Sequence, residues 1–460
     1  MKKLFTVLLF LVFLVGCAVN QSDWPGYDGT MESYTYFHQD ERNTAWEEDI
    51  LYLAEQFLTN HPLLCDDDFR IETLVDWVTV DDTVVEYSNR FYDPVIRKNF
   101  IEQINLLIPK IDSMSDAQIL YELQRIVAML GDCHAAMPLP LGEHLPIGIE
   151  PVFEEDGYAY YIEKVPADLT EMLFGRLAAI NDIPMEQIQE RLAPYISHEN
   201  DIWVVQQMAN GKMLLRKSAL QQIGVMGQDD TRVKLTVETQ IGTMECQISV
   251  VTQEKAQQLE YINGSIWTSQ YTAHRYANER PYWYEILGEN TLYVRFLSEH
   301  ENPNESFDMF FIKISNILRD AETPMKLVID FRNNMGGYYG LMQGLIPRIN
   351  RQETDGVYIL INEGSISAAA IVPYMYAKSI PDAVLVGSPA SQSPNMFSLD
   401  SEDNYTLPNS GYEFYISAKY INGASEFDGT TLMPDILVYQ TIEDYQNGID
   451  TVLEYVLAID

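Results

Sequence analysis

A small-residue turn between an apolar run and a helix-forming segment is the part of this sequence best suited to covalent chemistry. The run Val357–Ile361 predicts a buried strand, and Ala368-Ala369-Ala370 predicts the start of a helix. Between them, Glu363-Gly364-Ser365-Ile366-Ser367 places serine hydroxyls on a sharp turn, where a hydroxyl can be held for nucleophilic attack. The unpaired N–H groups of the first helical turn can stabilise a developing oxyanion. In the alternative interpretation, Ser365 or Ser367 is an ordinary helix N-cap.

Three other segments carry residue types that could complete such a site. Asp132-Cys133-His134-Ala135 follows a predicted helix, and its imidazole can accept a proton at neutral pH, although a lone histidine is usually a packing residue. The strand Leu327–Phe331 leads into Arg332-Asn333-Asn334-Met335-Gly336-Gly337, whose glycines let the backbone approach a substrate carbonyl. Glu426 begins the segment Glu426-Phe427-Asp428-Gly429. This acid could equally be a solvated loop residue.

The region before the histidine, residues 44–140, is predicted to be a helical domain. Apolar residues recur at helical spacing in three segments, Trp46–Thr59, Asn99–Ile111 and Ile119–Leu130. Ser115-Asp116-Ala117-Gln118 has the pattern of a capping box at the start of the last helix. Gly131 is a plausible C-cap, so His134 lies just beyond a helix end, where functional residues concentrate.

Residues 146–251 change to a β-rich composition. Gly157–Ile162 and Val233–Glu238 alternate like strands, and between them a strand, a tight Asn181-Asp182 turn and the helical Met185–Leu192 follow one another. This order resembles PDZ domains, although Asp182 replaces the usual glycine. The resemblance implies that peptide ends bind by adding a strand to a sheet edge. A small scaffold domain without a ligand is the alternative.

The C-terminal region, residues 281–460, alternates strands with helices after a polar linker at residues 252–280. The predicted strands and helices are, in order, Leu292–Phe296, Ser306–Ala321, Leu327–Phe331, a helix near Tyr339–Ile346, Val357–Ile361, a helix to Lys378, and Val384–Gly387. This order predicts an α/β domain whose parallel strands carry the site at their carboxyl ends. Both glycine-rich loops fall at such ends.

The N-terminus carries an export signal. Residues 1–16 combine a basic start with the apolar run Leu4–Val15, which is too short to span a membrane. Leu14-Val15-Gly16-Cys17 resembles a bacterial lipoprotein cleavage box, which implies a lipid anchor on Cys17 and an extracytoplasmic, membrane-anchored protein. A plain secretory signal or membrane anchor with an incidental cysteine is the alternative. The polar residues 17–43 predict a tether.

Charge and cysteine content exclude several classes of partner. The net charge is −39, and removal of residues 1–16 would leave 27 basic residues against 68 acidic ones, so nucleic acid is not expected as a partner. Cys65, Cys133 and Cys246 form no even set and no C-x-x-C pair, so neither a disulfide framework nor a structural zinc site is predicted. We expect no cofactor and no metal.

Four segments in order resemble the tail-specific, or C-terminal-processing, serine peptidase family. They are Asp132-Cys133-His134, the stretch from Leu327 to Gly337, the serine turn, and Glu426 to Gly429 followed by Met433-Pro434-Asp435-Ile436-Leu437-Val438. Each is weak alone, but their order is informative. The resemblance covers roughly residues 100–457 and implies a crotonase-like catalytic sandwich in a multidomain α+β and α/β chain.

The resemblance also implies roles for individual residues. Ser367 would be the nucleophile, and the N–H groups of Ala368 and of Gly337, with Gly336 as second choice, would form the oxyanion hole. Many members use a lysine about twenty-five residues after the serine as general base, but this chain has none there. Lys378, eleven residues along the predicted helix, would lie about 16 Å away. The subtype resembling the tricorn protease core instead uses a histidine oriented by polar groups including a glutamate.

His134 as base and Glu426 as its supporting acid fit that subtype. Cys133 would then stand at a supporting position, and Arg332 would be a structural pin for its loop. A cysteine nucleophile is a lesser alternative, because adjacent residues of a strand-like segment point to opposite faces, which would leave Cys133 and His134 badly placed as a pair.

Three departures from the family pattern keep a second function open. Ala370 replaces a frequent glutamate, Cys133 a small polar residue, and Met335 a glycine or proline. The first hypothesis is an exported, lipid-anchored serine endopeptidase that cleaves proteins or peptides, in some cases near their C-termini. The second is a catalytically inactive peptide-binding surface lipoprotein. A substrate-capture lipoprotein for a transporter is a third, which leaves the ordered motifs unexplained.

Overall fold

The computed structural model describes residues 39–74, 83–154, 157–266, 280–399 and 404–459, with side chains from residue 41 onward. The predicted signal peptide, the lipidation site Cys17 and most of the tether lie outside the described residues. In the described ranges, no helix combines the length and apolar character needed to cross a bilayer.

The described residues form twelve α-helices and nineteen strands. The helices are α1 (Gln39–Asn60), α2 (Pro94–Leu107), α3 (Asp116–Ala128), α4 (Met185–Leu192), α5 (Asp201–Ala209), α6 (Lys217–Gln222), α7 (Gln253–Gln258), α8 (Phe307–Asp320), α9 (Ile346–Ile349), α10 (Ala368–Ser379), α11 (Ile442–Gln446) and α12 (Thr451–Leu457). The strands are β1 (Phe69–Leu74), β2 (Thr83–Ser88), β3 (Gly148–Glu154), β4 (Gly157–Pro166), β5 (Arg176–Ile180), β6 (Ile183–Pro184), β7 (Arg232–Thr239), β8 (Gly242–Ser249), β9 (Tyr261–Asn263), β10 (Tyr282–Leu287), β11 (Thr291–Phe296), β12 (Met325–Asp330), β13 (Thr354–Ile361), β14 (Ala383–Gly387), β15 (Asn395–Ser398), β16 (Asn404–Thr406), β17 (Glu413–Tyr415), β18 (Lys419–Asn422) and β19 (Ile436–Leu437).

The N-terminal region contains the three predicted helices, but it is not purely helical. Ser115 forms the predicted capping box with Gln118, and Gly131 beyond α3 has a positive φ of 65°, as a C-cap glycine does. Strands β1 and β2 form a hairpin that the sequence analysis missed. They join β18 and β15 in a four-stranded sheet of order β15-β18-β1-β2. The helical prediction failed here because the partner strands lie more than 300 residues away.

The middle region forms one sheet with the path β3-β4-β5-β7-β8, to which β6 and β9 add at its sides. At the predicted turn, Asn181 and Asp182 have φ of 49° and 65°, a left-handed pair that permits a tight reversal before α4. The region shares one hydrophobic core with α1 to α3, so its apolar packing does not separate it from the helical region. The predicted boundaries between these regions stay predictions.

The predicted linker at residues 252–280 is partly ordered. Its first part forms α7 and β9, and β9 pairs antiparallel with β4 through contacts such as that of Val165 with Ile262. The prediction of a linker was therefore wrong for residues 253–263, whose polar composition hid a short edge strand. Residues 267–279 lie outside the described residues.

The C-terminal region is built on a six-stranded sheet of order β10-β11-β12-β13-β14-β19. All neighbouring pairs are parallel except β10 and β11, as the predicted β-α-β order requires. Helices α8, α9 and α10 pack on one face and α12 on the other. The carboxyl ends of β12 and β13 therefore meet at one edge, where the Arg332–Gly337 loop and the serine turn both begin.

Candidate active site

Ser367 lies on a strained turn between β13 and α10. Its φ of 59° and ψ of −126° fall in a region that non-glycine residues rarely occupy, and that is typical of a nucleophile held on a strand-to-helix elbow. Surrounding bonds hold the turn in place. The Ile366 N–H donates to the Asn334 carbonyl oxygen at 3.1 Å, and the Ser365 hydroxyl donates to the Phe331 carbonyl oxygen at 2.9 Å. Ser365 is fully buried, so of the two turn serines only Ser367 is partly exposed.

The two glycines that follow β12 have different positions around this serine. A Cβ on Gly336 would lie 2.7 Å from the Ser367 Cβ and 2.8 Å from the Ala368 nitrogen, so only glycine fits beneath the nucleophile. The Gly336 N–H donates to the Asn334 side chain at 2.8 Å and is therefore occupied. Within the described residues, the N–H groups of Gly337 and Ala368 donate to no other protein group. These two N–H groups are the available oxyanion donors.

An acidic side chain supports the glycine loop from the other side. The Glu299 N–H donates to the Gly336 carbonyl oxygen at 3.1 Å, and the Glu299 carboxylate accepts from the Asn334 side chain at 2.9 Å. The second carboxylate oxygen of Glu299 is buried with no hydrogen-bond partner in the described structure. Burial raises the pKa of Glu299 to about 8, although its bond from Asn334 opposes the rise. Glu299 therefore retains its proton up to near-neutral pH.

Arg332 anchors the start of the same loop to the rest of the domain. Its guanidinium, 1% exposed, pairs with Asp330 at 2.7 Å and with Asp450 at 2.7 Å, and Asp450 is the N-cap of α12. Burial alone would raise the pKa of Asp330, but the guanidinium groups of Arg295 and Arg332 hold it at about 2. The geometry matches the structural pin expected for Arg332.

His134 lies beside the serine, as the sequence analysis expected. Its Nε2 is 3.1 Å from the Ser367 Oγ, across 233 positions of sequence. The backbone N–H of His134 donates to the Asp132 carboxylate at 2.9 Å. The other oxygen of Asp132 accepts from the His61 Nε2 at 3.2 Å. The His61 Nδ1 accepts from the Leu63 N–H, which leaves the ring hydrogen on Nε2. The fully buried Asp132–His61 pair therefore fixes the backbone that carries His134.

Cys133 lies on the same side of the chain as His134, which corrects the prediction that the two point to opposite faces. The residues form a turn and not a strand, and the Cys133 Sγ is 3.6 Å from the His134 Nδ1. Burial, with the nearby Glu199 carboxylate, raises the pKa of the Cys133 thiol to about 12. The group is therefore a thiol at neutral pH, and this protonation state, not its direction, makes it a poor nucleophile.

Gln392 connects the nucleophile to the base. Its side-chain oxygen accepts from the Ser367 N–H at 2.8 Å, which orients the amide and directs Nε2 to the other side. That nitrogen donates to Glu199 at 3.0 Å and to the Cys133 Sγ at 3.2 Å, and it lies 3.3 Å from the His134 Nδ1. Gln392 is 25 residues after the serine, where many members of the resembled family carry the lysine base.

Glu199 is the acid beside the histidine, and the sequence analysis did not single it out. It lies in the short segment between the single-turn helix at residues 193–195 and α5. Burial, with the negative charge of Asp132, raises the pKa of Glu199 to about 7. Its carboxylate oxygen lies within 4.8 Å of both the Cys133 Sγ and a ring nitrogen of His134. No local sequence pattern marks this residue.

The structure does not bring Glu426 to the histidine. The residue is exposed on the loop after β18, and its charge acts on Tyr374 of α10. Within the described residues, Glu426 makes no hydrogen bond to His134 or Ser367. Asn395 of β15 donates to the carbonyl oxygens of Ala424 and Phe427. These bonds hold the loop in a turn on which Glu426 faces solvent. The carboxylate beside the base belongs to Glu199.

The histidine tautomer decides whether this arrangement can do chemistry. A neutral imidazole that accepts the serine proton at Nε2 must carry its own hydrogen at Nδ1. The Cys133 Sγ, 3.6 Å from Nδ1, can accept that hydrogen, while the Gln392 amide satisfies Glu199. The arrangement can therefore deprotonate Ser367 next to two free N–H donors, which is the chemistry of acyl transfer.

Comparison of the sequence with models of protein families and with curated proteins finds no match. Comparison with solved structures finds mature CPAF complexed with lactacystin, at 12% identity and a TM-score of 0.56, over 90% of this chain and 97% of that one. Mature CPAF without that ligand gives 12% identity and a TM-score of 0.55, over 90% and 96%. The photosystem II D1 C-terminal processing protease gives 12% identity and a TM-score of 0.39, over 89% and 96%.

The likeness to CPAF shows that this chain has the CPAF fold over nearly its whole length. The mixed α/β fold class is confirmed. At 12% identity the likeness shows the architecture alone, and the chemistry depends on the side chains of the site.

Proposed function

We propose that this protein is a serine peptidase that cleaves peptide bonds through an acyl-enzyme on Ser367. The observation that carries the proposal is the 3.1 Å contact between the His134 Nε2 and the Ser367 Oγ, beside the free N–H groups of Gly337 and Ala368. An ordinary helix N-cap would need neither the strained backbone at the serine nor the glycine beneath it.

In the acylation step, the Ser367 oxygen attacks the substrate carbonyl carbon as its proton passes to the His134 Nε2. The carbonyl oxygen becomes an oxyanion that accepts from the N–H groups of Gly337 and Ala368. His134 then gives its proton to the departing amine as the peptide C–N bond breaks. In the second step His134 takes a proton from water as the water oxygen attacks the acyl carbon, and His134 returns that proton to the Ser367 oxygen as the ester C–O bond breaks.

Glu199 and Gln392 support the base in this scheme. While His134 holds the serine proton it is a cation, and a negative charge within a few ångströms stabilises it. Gln392 fixes the distance between this charge and the nucleophile, because it bonds to both the Glu199 carboxylate and the Ser367 N–H. We assign the supporting role to Glu199 and not to Glu426.

The departures that suggested an inactive protein are compatible with activity. Ala370 is fully buried in a small apolar cluster with Leu74, Ile371, Met396 and Ile421, where a glutamate would be unpartnered. Met335 packs against the main core. Cys133, which replaces a small polar residue, accepts a hydrogen bond from the Gln392 amide, and its Sγ lies beside the His134 Nδ1.

The substrate class and the location also belong to this proposal. We propose that residues 146–251 bind peptide ends by strand addition, as the PDZ resemblance implies, and that the mature protein is held outside the cytoplasm by lipid on Cys17. Matched peptides that end in a free carboxylate or an amide test the first point by mass spectrometry of the products. Faster cleavage of the free-carboxylate peptide is expected.

The test of the activity is labelling with a fluorophosphonate probe. Wild-type protein should be labelled on the peptide that contains Ser367, and Ser367→Ala should not be labelled, while Ser365→Ala should still react. Lactacystin, which is bound in a solved structure of CPAF, should slow the labelling if the sites are alike. Labelling that persists in Ser367→Ala would remove this serine as the nucleophile.

A further inference from the structure

Three potential metal ligands converge on one point behind the base. Within the described part of the chain, the Cys133 Sγ, a ring nitrogen of His134 and a Glu199 carboxylate oxygen all lie within 4.8 Å of one another. Of the two ring nitrogens, Nδ1 is the one 3.6 Å from the sulfur. They come from two segments about 65 residues apart, so the sequence analysis, which searched for C-x-x-C spacing, predicted no metal. Cys133 and Glu199 are half-buried, which leaves an ion a path from solvent.

The two separations that involve the sulfur suit a tetrahedral ion. The Cys133 Sγ is 3.6 Å from the His134 Nδ1 and 3.9 Å from the Glu199 carboxylate. Ligand atoms around a tetrahedral zinc lie about 3.5 Å apart, given bonds of about 2.3 Å to sulfur and about 2.0–2.2 Å to nitrogen and oxygen. Small side-chain movements would close the set. A thiolate with an imidazole favours zinc over magnesium or calcium.

Gln392 marks the position where the ion would lie. Its Nε2 is 3.0 Å from the Glu199 oxygen, 3.2 Å from the Cys133 Sγ and 3.3 Å from the His134 Nδ1. Three different side chains thus already face one point, where an amide nitrogen now serves as their common neighbour. An ion would have to displace this amide, so Gln392 competes with the metal.

We propose that Cys133, His134 and Glu199 form a zinc-binding site whose occupation switches off the general base. This proposal deepens the proposed function and rests on it, because His134 is a general base only in that function. When zinc binds the Nδ1 lone pair, the one hydrogen of the neutral ring moves to Nε2, so Nε2 no longer has a lone pair for the serine proton. The Cys133 thiol gives its proton to solvent as the sulfur binds the metal. Displacement of Gln392 also removes the acceptor of the Ser367 N–H.

Cobalt(II) substitution tests the site without any need for catalysis. Titration of the Ser367→Ala protein with Co²⁺ should produce the visible bands of a tetrahedral ion together with a thiolate-to-cobalt charge-transfer band. Aspartates and glutamates on the surface of this acidic chain cannot give the thiolate band. The bands should persist in Cys246→Ser, a matched cysteine control on β8, and disappear in Cys133→Ser. Glu199→Gln should weaken zinc competition at least about tenfold.

Gln392→Ala supplies a variant with the opposite expectation. Removal of the competing amide should tighten zinc binding, whereas general damage to the site would weaken it. Absence of the thiolate band in the Ser367→Ala protein, or its persistence when Cys133→Ser is added, overturns the site. If Cys133→Ser fails to fold, as judged by its circular dichroism, the Glu199→Gln and Gln392→Ala titrations decide the matter.

The switch is tested separately on protein with the native serine. Zinc should block fluorophosphonate labelling, a chelator should restore it, and Cys246→Ser should behave like wild type. If the cobalt bands appear but zinc leaves labelling unchanged, the site stands and the switch is wrong. If no variant is labelled under any condition, the proposed peptidase activity fails, and the cobalt titration still decides whether the metal site exists.

Discussion

The two halves of the candidate active site are held by different kinds of force. The nucleophile half, defined here as Gly336, Gly337, Ser367 and Ala368, has a strained backbone that is held by close packing and by bonds at the carboxyl ends of two neighbouring strands. The base half, defined as Cys133, His134, Glu199 and Gln392, is assembled from side-chain hydrogen bonds between distant segments.

This difference predicts different responses to mutation. In the nucleophile half, a Cβ added at Gly336 would lie 2.7 Å from the Ser367 Cβ, and one at Gly337 would lie 2.8 Å from the Glu299 carbonyl carbon, so an added methyl group must displace its neighbours. The base half contains polar groups that can be exchanged for similar ones with graded loss. Substitutions in the nucleophile half should therefore abolish most of the activity at once. Those in the base half should reduce the activity by amounts that depend on the replacement.

The largest effect is expected for Gly336→Ala. The new Cβ would overlap the Ser367 Cβ and the Ala368 nitrogen at a backbone φ of 89°, so the nucleophile and one oxyanion donor must both shift. We expect peptide cleavage to fall about 10³-fold, the size associated with loss of an oxyanion donor. Gly224→Ala, at a φ of 72° but with nothing near its Cβ, bears the backbone strain without the overlap and should retain activity. Equal losses in both variants would mean that strain alone is responsible.

An intermediate effect is expected for Glu199→Gln. The variant keeps a partner for the Gln392 amide but loses the charge beside the imidazolium, so kcat should fall about 10- to 100-fold with little change in KM. The matched control is Glu426→Gln, which changes an exposed carboxylate in the same way and should alter kcat less than about twofold. The reverse ranking of these two variants would reassign the supporting acid to Glu426.

The smallest effect on activity is expected for Glu299→Gln, which keeps the oxygen that accepts from Asn334. Its effect should appear in the pH dependence of stability. In the unfolded chain Glu299 ionises near its ordinary pKa of 4.5, whereas the folded protein holds the proton to about 8. The unfolded state therefore binds fewer protons between these values, and stability falls as pH rises, by at most about 1.4 kcal/mol per pH unit from this group. Urea denaturation from pH 5 to 8 should give a flatter profile for the variant, and parallel profiles would contradict the assignment.

The sequence predicted the nucleophile half more completely than the base half, for a physical reason. Ser367, Gly336 and Gly337 belong to two strand-to-loop junctions, and apolar runs followed by glycine mark such junctions locally. Glu199 lies in an unpatterned loop, and only the packing of the middle region brings it to His134. Gln392 lies at the spacing expected for the lysine base, but an amide suggests no role until its partners are known.

The same reasoning explains one error about the fold and two about the site. The β1–β2 hairpin pairs with β18, near residue 420. The periodicity of apolar residues within a short segment cannot predict pairing with a strand so distant in sequence. Glu426 was placed by resemblance alone, and the turn closed by Asn395 directs it to solvent. The Cys133–His134 orientation was derived from strand geometry, whereas the chain there forms a turn.

The most direct test of the central claim is the rate of fluorophosphonate labelling at Ser367 in His134→Ala. If this imidazole activates the serine across 233 positions of sequence, the rate should fall at least about 100-fold, while His144→Ala, a second buried histidine, should label at the wild-type rate. Thermal melting of both variants would show that each is folded. An unchanged labelling rate in folded His134→Ala would contradict the account, because the serine would then be reactive without the base.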